Sequence, residues 1–327
     1  MQPRPPASSF RVGIDENGLG PRLGPLVVTG VLARTDEAGG RRAESRPRGK
    51  LAERLNDSKK LVAFGDSLLG EAWARAVAKR AGTSATSADE LVHWLSIDTR
   101  DHLRAPCPAD HAGQCWSAES ERFGATDEMV TAAERDLAHL AKLGVDVQGA
   151  RVAVVCTDRL NAAARRGLTR FHVDLHAMER LAIDARARAG EDVIVTCGKV
   201  GGFNSYASAL GPLNGRLHVT MCEGRARSEY AFPGLGRIAF VRDADARHLL
   251  VCMASLIGKW VRDLLMARVV RYHREANPEL PMASGYHDPV TTRFIAASAL
   301  ARKRRALPDT CFERNRASTE GDVESPG

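Results

Sequence analysis

The chain has no apolar run approaching the roughly 18 uninterrupted residues that a membrane-spanning helix needs, so a helical membrane anchor is not expected. Its first ten residues carry Arg4 with no apolar stretch behind it, which is not the pattern of a secretory leader. There is no glycine-rich phosphate loop of the nucleotide-triphosphatase type and no Gly-x-Ser-x-Gly elbow, which argues against those two enzyme classes. No internal repeat is visible. Cysteine is neither abundant nor paired: seven residues, an odd number scattered from Cys107 to Cys311, suit reduced thiols better than a disulfide framework. These absences lead to the expectation of a cytoplasmic protein with no membrane partner.

What is present is length and positive charge. The 327 residues, 44% apolar and 27% charged, allow one large domain or two small ones. The excess of 47 Lys and Arg over 40 Asp and Glu gives a net charge of +7, which permits a polyanionic partner without demanding one.

Apolar patterning places the elements. Residues 11–15 and 25–32 read as a β-hairpin whose first strand ends on Asp15 and Glu16, followed by turn chemistry at Gly18-Leu19-Gly20-Pro21. Residues 34–50 are rich in Arg, Gly and Glu and read as a solvated loop. A helix runs to about Arg80 with Leu68, Leu69, Ala72, Trp73 and Val77 on one face, and Asp57, Ser58 and Asp66 are candidate caps for it. Residues 98–125 read as irregular, and Thr126 caps a helix that stops at Gly144. A strand at 152–156, a helix at 161–189 and a strand at 192–197 come next. Shorter strands follow near 216–221, 228–232 and 236–241. A nearly all-apolar helix spans about 245–273, and a last helix starts at Pro289 after Asp288. Such alternation indicates a layered α/β domain, with a disordered tail from Arg314.

Two constellations carry candidate chemistry. Asp15 and Glu16 at a strand end, beside glycines that let the chain break, are either a solvated strand end or the start of a divalent-cation site built from hard oxygen ligands. Ser255, Lys259 and Asp263 recur at spacing four on a helix whose remaining faces are apolar. They form either a solvent-facing Lys–Asp pair or a polar seam that needs a binding partner.

Three blocks in order then resemble one family. Gly13-Ile14-Asp15-Glu16-Asn17-Gly18-Leu19-Gly20-Pro21, Leu55-Asn56-Asp57-Ser58-Lys59-Lys60-Leu61 and Ser255 to Asp263 are similar to the motifs of type 2 ribonucleases H (ribonuclease HII). Gly285-Tyr286 echoes a glycine–tyrosine element of that family, and Asp158-Arg159-Leu160-Asn161 with His176-Ala177-Met178 resembles its central helix region. The resemblance implies an RNase H-like fold: an α/β architecture with a mixed β-sheet flanked by helices. Surplus length would be inserted at about 84–125 and 199–240 within a domain spanning 10–313, with disordered ends at 1–9 and 314–327. It also implies a nuclease acting on RNA in RNA–DNA hybrids or a related duplex. Asp15, Glu16 and Asp263 would bind Mg²⁺ or Mn²⁺, two ions about 4 Å apart serving an in-line displacement. Asn56, Lys59, Lys60 and Lys259 would hold phosphates, and Gly18, Gly20 and Tyr286 would approach the nucleic acid.

The match departs from the family at two positions. Cys197 stands at the strand end where the resemblance expects an acid, and a thiol is a poor ligand for a hard cation. Asp243 is the preferred substitute, with Asp158, Asp245 or a role for Cys197 itself as alternatives. Leu19 replaces an arginine that the family ties to sensing the ribose 2′-hydroxyl. Together they motivate an alternative in which the chain binds nucleic acid without cleaving it. Arginines, glycines and aromatics at 199–206 and 223–230 suit either backbone contact with base stacking or an ordinary surface. His102, Cys107, His111 and Cys115 lack the close Cys-x-x-Cys pair usual for zinc and read by default as loop residues.

Overall fold

A computed structural model of the chain describes residues 8–56, 61, 66–108, 112–119, 121–201 and 204–315. Seven strands, β1 (Ser9–Asn17), β2 (Leu26–Thr35), β3 (Val145–Val155), β4 (Val193–Gly198), β5 (Val219–Cys222), β6 (Arg227–Phe232) and β7 (Gly236–Val241), form one sheet in the order β3-β2-β1-β4-β7-β6-β5. The β1–β2, β2–β3, β7–β6 and β6–β5 pairs are antiparallel, whereas β1–β4 and β4–β7 are parallel. This is the mixed, helix-flanked sheet that was expected. The β1–β2 hairpin is in register from Ser9–Thr35 to Asn17–Val27, so β1 ends on the acids.

Helices of eight or more residues are α1 (Leu68–Arg80), α2 (Ala88–Leu95), α3 (Asp127–Lys142), α4 (Thr157–Arg165), α5 (Arg170–Ala189), α6 (Leu249–Ala276) and α7 (Pro289–Arg304). Alternation along β2 divides them between the two faces of the sheet. Val27, Val31 and Ala33 bury against α6, α1 and α3, while Leu26, Val28 and Leu32 pack with α5. A strand covered on both faces reads as a continuous apolar run, which is why 25–32 shows no alternation. Among the described residues, no helix is long and apolar enough to cross a membrane.

Four local expectations change. Residues 37–43, read as loop, form a short helix whose cap Asp36 accepts a 2.7 Å hydrogen bond from the Gly39 amide. Gly39 packs backbone to backbone on Gly144, a contact that leaves no apolar signature in the sequence. The stretch 161–189 is two helices, broken at Gly167 (φ +79°) and restarted by Thr169, whose hydroxyl and the His172 ring complete a capping box. Residues 98–125 contain α-helical turns at Arg100–Arg104 and Ala112–Trp116. Arg314 and Asn315, read as the start of the tail, are ordered, and Arg314 is buried. Pro289 opens α7 behind its cap Asp288 as expected, while α1 begins behind Ser67, and the candidate caps Asp57 and Ser58 lie outside the described residues.

Glu179, buried on α5, ties the 211–213 segment to that helix by accepting hydrogen bonds from the amides of Gly211 (3.1 Å) and Leu213 (2.7 Å). Burial pushes its carboxyl up to about 7. A carboxyl raised in the folded state binds its proton more tightly there than in the unfolded chain, so its cost is absent below the ordinary value and grows as pH rises from there to about 7. Unfolding free energy is expected to fall across that window by on the order of 1–3 kcal/mol from this group, and Glu179→Gln to remove that slope in denaturant titrations at pH 4.5 and 8.

Candidate functional site

β1 delivers Asp15 and Glu16 to the sheet end where β4 also stops. Ile14 pairs with Cys197, and the next residue of β4 is Gly198. A β-carbon at Gly198 would stand 3.3 Å from Asp15 Oδ1 and 3.3 Å from Glu16 Oε2, so the two carboxylates approach one point from neighbouring positions on β1. Asp15 is nearly buried and Glu16 half-buried. Gly18 (φ +85°) then turns the chain away, and a side chain there would press on Pro25 O and on Arg262.

The long helix α6 lies across this end. Asn17 donates a 3.3 Å hydrogen bond to the Ser255 carbonyl, and Gly258 leaves room for Thr29 and Asn17, each of which would meet an added β-carbon at under 3 Å. One turn further on, Lys259 Nζ donates to Asp263 Oδ2 at 2.7 Å and Arg262 Nη1 donates to Oδ1 at 3.1 Å. The side chains of Lys259, Asp263 and Arg262 are 16%, 10% and 2% exposed. The expected polar seam is therefore a buried triad rather than a surface pair, and both Asp263 oxygens are engaged by cations.

Arg262 also joins the glycine–tyrosine element to the site. Its Nη2 donates 2.8 Å to the Ser284 carbonyl, and its guanidinium carbon lies 4.5 Å from the Tyr286 ring centre. Tyr286 is itself exposed. The amides of Arg22 and Leu23 donate to Gly285 O, so the 18–25 and 284–286 turns are bonded together.

Beneath the glycine turn lies a charge that no sequence motif places there. Buried Arg314 donates to the carbonyls of Gly18 (2.7 Å), Leu19 (3.3 Å) and Gly24 (2.7 and 2.9 Å). Burial, then the nearby guanidiniums of Arg170 and Arg262, lower its ionisation to about 9, which still leaves it charged at neutral pH. Leu19, in the slot expected to hold an arginine, is half-buried against the α5-side core. Arg22, Arg170 and Arg314 border an open cavity of about 1010 Å³ beside Gly20, where an added β-carbon would meet nothing.

Asp243 follows β7, which β4 separates from β1. Its exposed carboxylate sits 3.7 Å from Arg242 and 3.8 Å from Arg247, in a left-handed backbone conformation (φ +55°). Asp158 lines a small cavity with Cys107 and Cys115. Cys197 is fully buried on the α5 face. Asn56 is half-buried after the turn at Gly49–Glu53, while Lys59, Lys60 and His111 lie outside the described residues. His102 approaches Arg159 at 2.9 Å. Among the described residues, no three carboxylate, imidazole or thiol groups stand close enough to enclose a metal ion as arranged. One residue that sequence reasoning missed is Asp174 on α5, fully buried with neither oxygen hydrogen-bonded; burial, then the negative charge of Asp15, push its carboxyl well up. An acid among Phe, Val, Leu and His residues carries no motif.

No protein-family model matches the chain, and no curated protein does. Among solved structures, an RNase HII from Archaeoglobus fulgidus in complex with PCNA is 19% identical, with 95% of this chain and 98% of that chain covered, at a TM-score of 0.44. Ribonuclease H2 from Pyrococcus horikoshii OT3 is 15% identical over 93% and 92%, at 0.40. Bst-RNase HIII in complex with Mn²⁺ is 13% identical over 89% and 70%, at 0.38.

Because buried Arg314 donates to the carbonyls of Gly18, Leu19 and Gly24, Arg314→Ala is expected to cost about 3 kcal/mol in denaturant unfolding. Hydrogen exchange should accelerate selectively at the amides of residues 18–24.

Proposed function

We propose that this chain is a divalent-metal-dependent nuclease that hydrolyses phosphodiester bonds of RNA in an RNA–DNA hybrid or related duplex. One observation carries the reading. Sequence blocks at 13–25, 255–263 and 285–286 meet at one end of the sheet, with two carboxylates converging over Gly198.

The donor set suits Mg²⁺ or Mn²⁺: hard carboxylate oxygens, over a glycine whose missing side chain gives them room. When bound, the ion would polarise the phosphate and lower the ionisation of an attacking water. Asp15 and Glu16 would hold it, which is enough for a cation that keeps waters and substrate phosphate as its other ligands. Asp263 would be free to hold an ion only on release from Lys259 and Arg262, which an incoming phosphate would promote by drawing Lys259 to itself. Lys259, Asn56, Lys59 and Lys60 then steady the phosphodiester backbone, the Gly18 to Gly20 backbone lies against a sugar, and the exposed Tyr286 offers a stacking face.

A second reading, a nucleic-acid-binding protein without catalysis, is favoured by Cys197 at the β4 end and by the double ion pairing of Asp263. Incubation with RNA–DNA hybrid, single-ribonucleotide duplex and DNA duplex, with and without Mn²⁺, separates the two. Metal-dependent cleavage that falls about 100-fold or more in Asp15→Asn is the expected outcome, since removal of a group stabilising transition-state charge typically costs this much. Salt-sensitive duplex binding with no metal-dependent cleavage would leave the second reading instead.

A further inference from the structure

Four guanidiniums from distant parts of the chain border the open cavity beside Gly20. Arg22 comes from the glycine turn, Arg170 opens α5, Arg302 lies in the last turn of α7, and Arg314 follows the short helix Asp309–Phe312. Two carboxylates share the lining, and each is already matched. Glu313 accepts from Arg22 at 2.7 and 2.9 Å, and Asp309 accepts from Arg302 at 3.1 Å. Arg170 and Arg314 face carbonyl oxygens instead. Arg170 donates to Asn315 O at 2.6 Å and, over longer distances, to Pro21 O at 3.3 Å and Gly20 O at 3.4 Å. Four guanidiniums against two carboxylates leave the lining with a surplus of positive charge. After burial, Arg170 and Arg262 are what lower the ionisation of Arg314, so like charges stand within electrostatic reach of it.

Gathering like charges costs free energy that an anion arriving between them offsets. Pinning the glycine turn explains the bonds to carbonyls but not the room, because about 1010 Å³ is far more than a water or a small ion fills. The cavity also adjoins the surface assigned above to nucleic acid. Gly20 lies on its edge, and His287, in the same lining, follows Tyr286, whose ring covers Arg262. Another exposed ring, Phe171, follows Arg170 on α5 and rests on the backbone at Gly201, where an added β-carbon would meet it at 2.6 Å. Basic groups beside exposed rings make up surfaces that track a nucleic-acid backbone.

We propose that this cavity holds the phosphodiester backbone of a bound nucleic acid where it leaves the glycine turn, a contact separate from the Lys259–Asp263 seam. The inference rests on the nucleic-acid reading given above and names a further part of the surface that serves it. Arg170 would meet a phosphate directly. Its guanidinium carries five N–H donors, more than its three carbonyl partners use, and its planar fork matches phosphate oxygens. Arg314, being buried, would act through its field rather than by contact. Arg22 and Arg302 would form the walls, each held in place by its carboxylate.

The test is binding of a fluorescein-labelled RNA–DNA hybrid to the full chain, followed by anisotropy over a series of NaCl concentrations with EDTA present, so that affinity is read without cleavage. Arg170→Gln is expected to flatten the slope of log affinity against log salt by about 1 and to weaken binding about 5- to 10-fold near 0.1 M salt, the loss of one phosphate contact. Arg170→Lys should keep the native slope, because it retains the charge while losing the fork that pins three carbonyls; a purely structural arginine would fail alike in both variants. Asp309, whose side chain is 92% exposed, offers a gain instead. Asp309→Asn should tighten binding about 2-fold or more, whereas Asp192→Asn, before β4 at the opposite end of that strand from Gly198, should leave it unchanged, both by local screened electrostatics. A native slope in Arg170→Gln, or equal affinities in Asp309→Asn and Asp192→Asn, would overturn the proposal while hybrid binding by the native chain kept the nucleic-acid reading in place. No binding by the native chain at low salt would defeat that reading and this one together. Should Arg170→Gln fail to fold, the two aspartate variants decide.

Discussion

The close approach of α6 to β1 is the constraint on which the rest depends. At Gly13 the helix backbone comes so near that any side chain would collide with Leu250 and Val251, and at Gly258 the approach is reciprocated from the helix toward Asn17 and Thr29. Two glycines thus let a helix lie on a strand without side chains between them. That contact fixes the helix phase and slide relative to the strand, so Asp15, Asn17 and the Ser255–Asp263 seam cannot shift independently. The glycine turn, the 284–286 loop and the end of β4 are assembled around this pairing.

Charge at this end of the sheet is handled in three ways. Asp263 is neutralised by two cations on its own helix. Arg314 faces carbonyl oxygens only, so its positive field persists beneath the turn where a polyanion would lie. Asp174 has no hydrogen-bond partner for either oxygen, an arrangement that destabilises its charged form. None of these is the cheapest way to stabilise a fold: buried ion pairs are often no better than apolar packing of the same volume. Asp174 lies close enough to Asp15 for their charges to interact, and perturbed buried charges of this kind cluster at functional sites more often than elsewhere.

The sheet and its helices were legible because strands buried on both faces and amphipathic helices write their period into the sequence. The β1–β2 hairpin, the Pro289 start and the Thr126 cap follow directly from such local signals. The short helix at 37–43 was not legible, since it packs through Gly39 on Gly144 and shows no apolar stripe. Asp15, Glu16 and Asp263 stand out in the sequence because they sit in motifs confined to short windows. Arg314 does not, because its partners are carbonyls at the other end of the chain, and a carbonyl belongs to every residue alike.

The Arg314 to Gly18 hydrogen bond spans 296 residues. Contacts of such sequence separation form late, because the entropy of closing so long a loop must be met before the contact contributes anything. Synthesis proceeds from the N-terminus, so β1 and its acids exist long before the guanidinium that holds the turn after them. A partly made chain can therefore pair β1 with β2 and still lack a finished glycine turn. The carboxylate end of the sheet comes under the control of Arg314 only when almost the entire described chain is in place, so the surface that would meet a polyanion matures last.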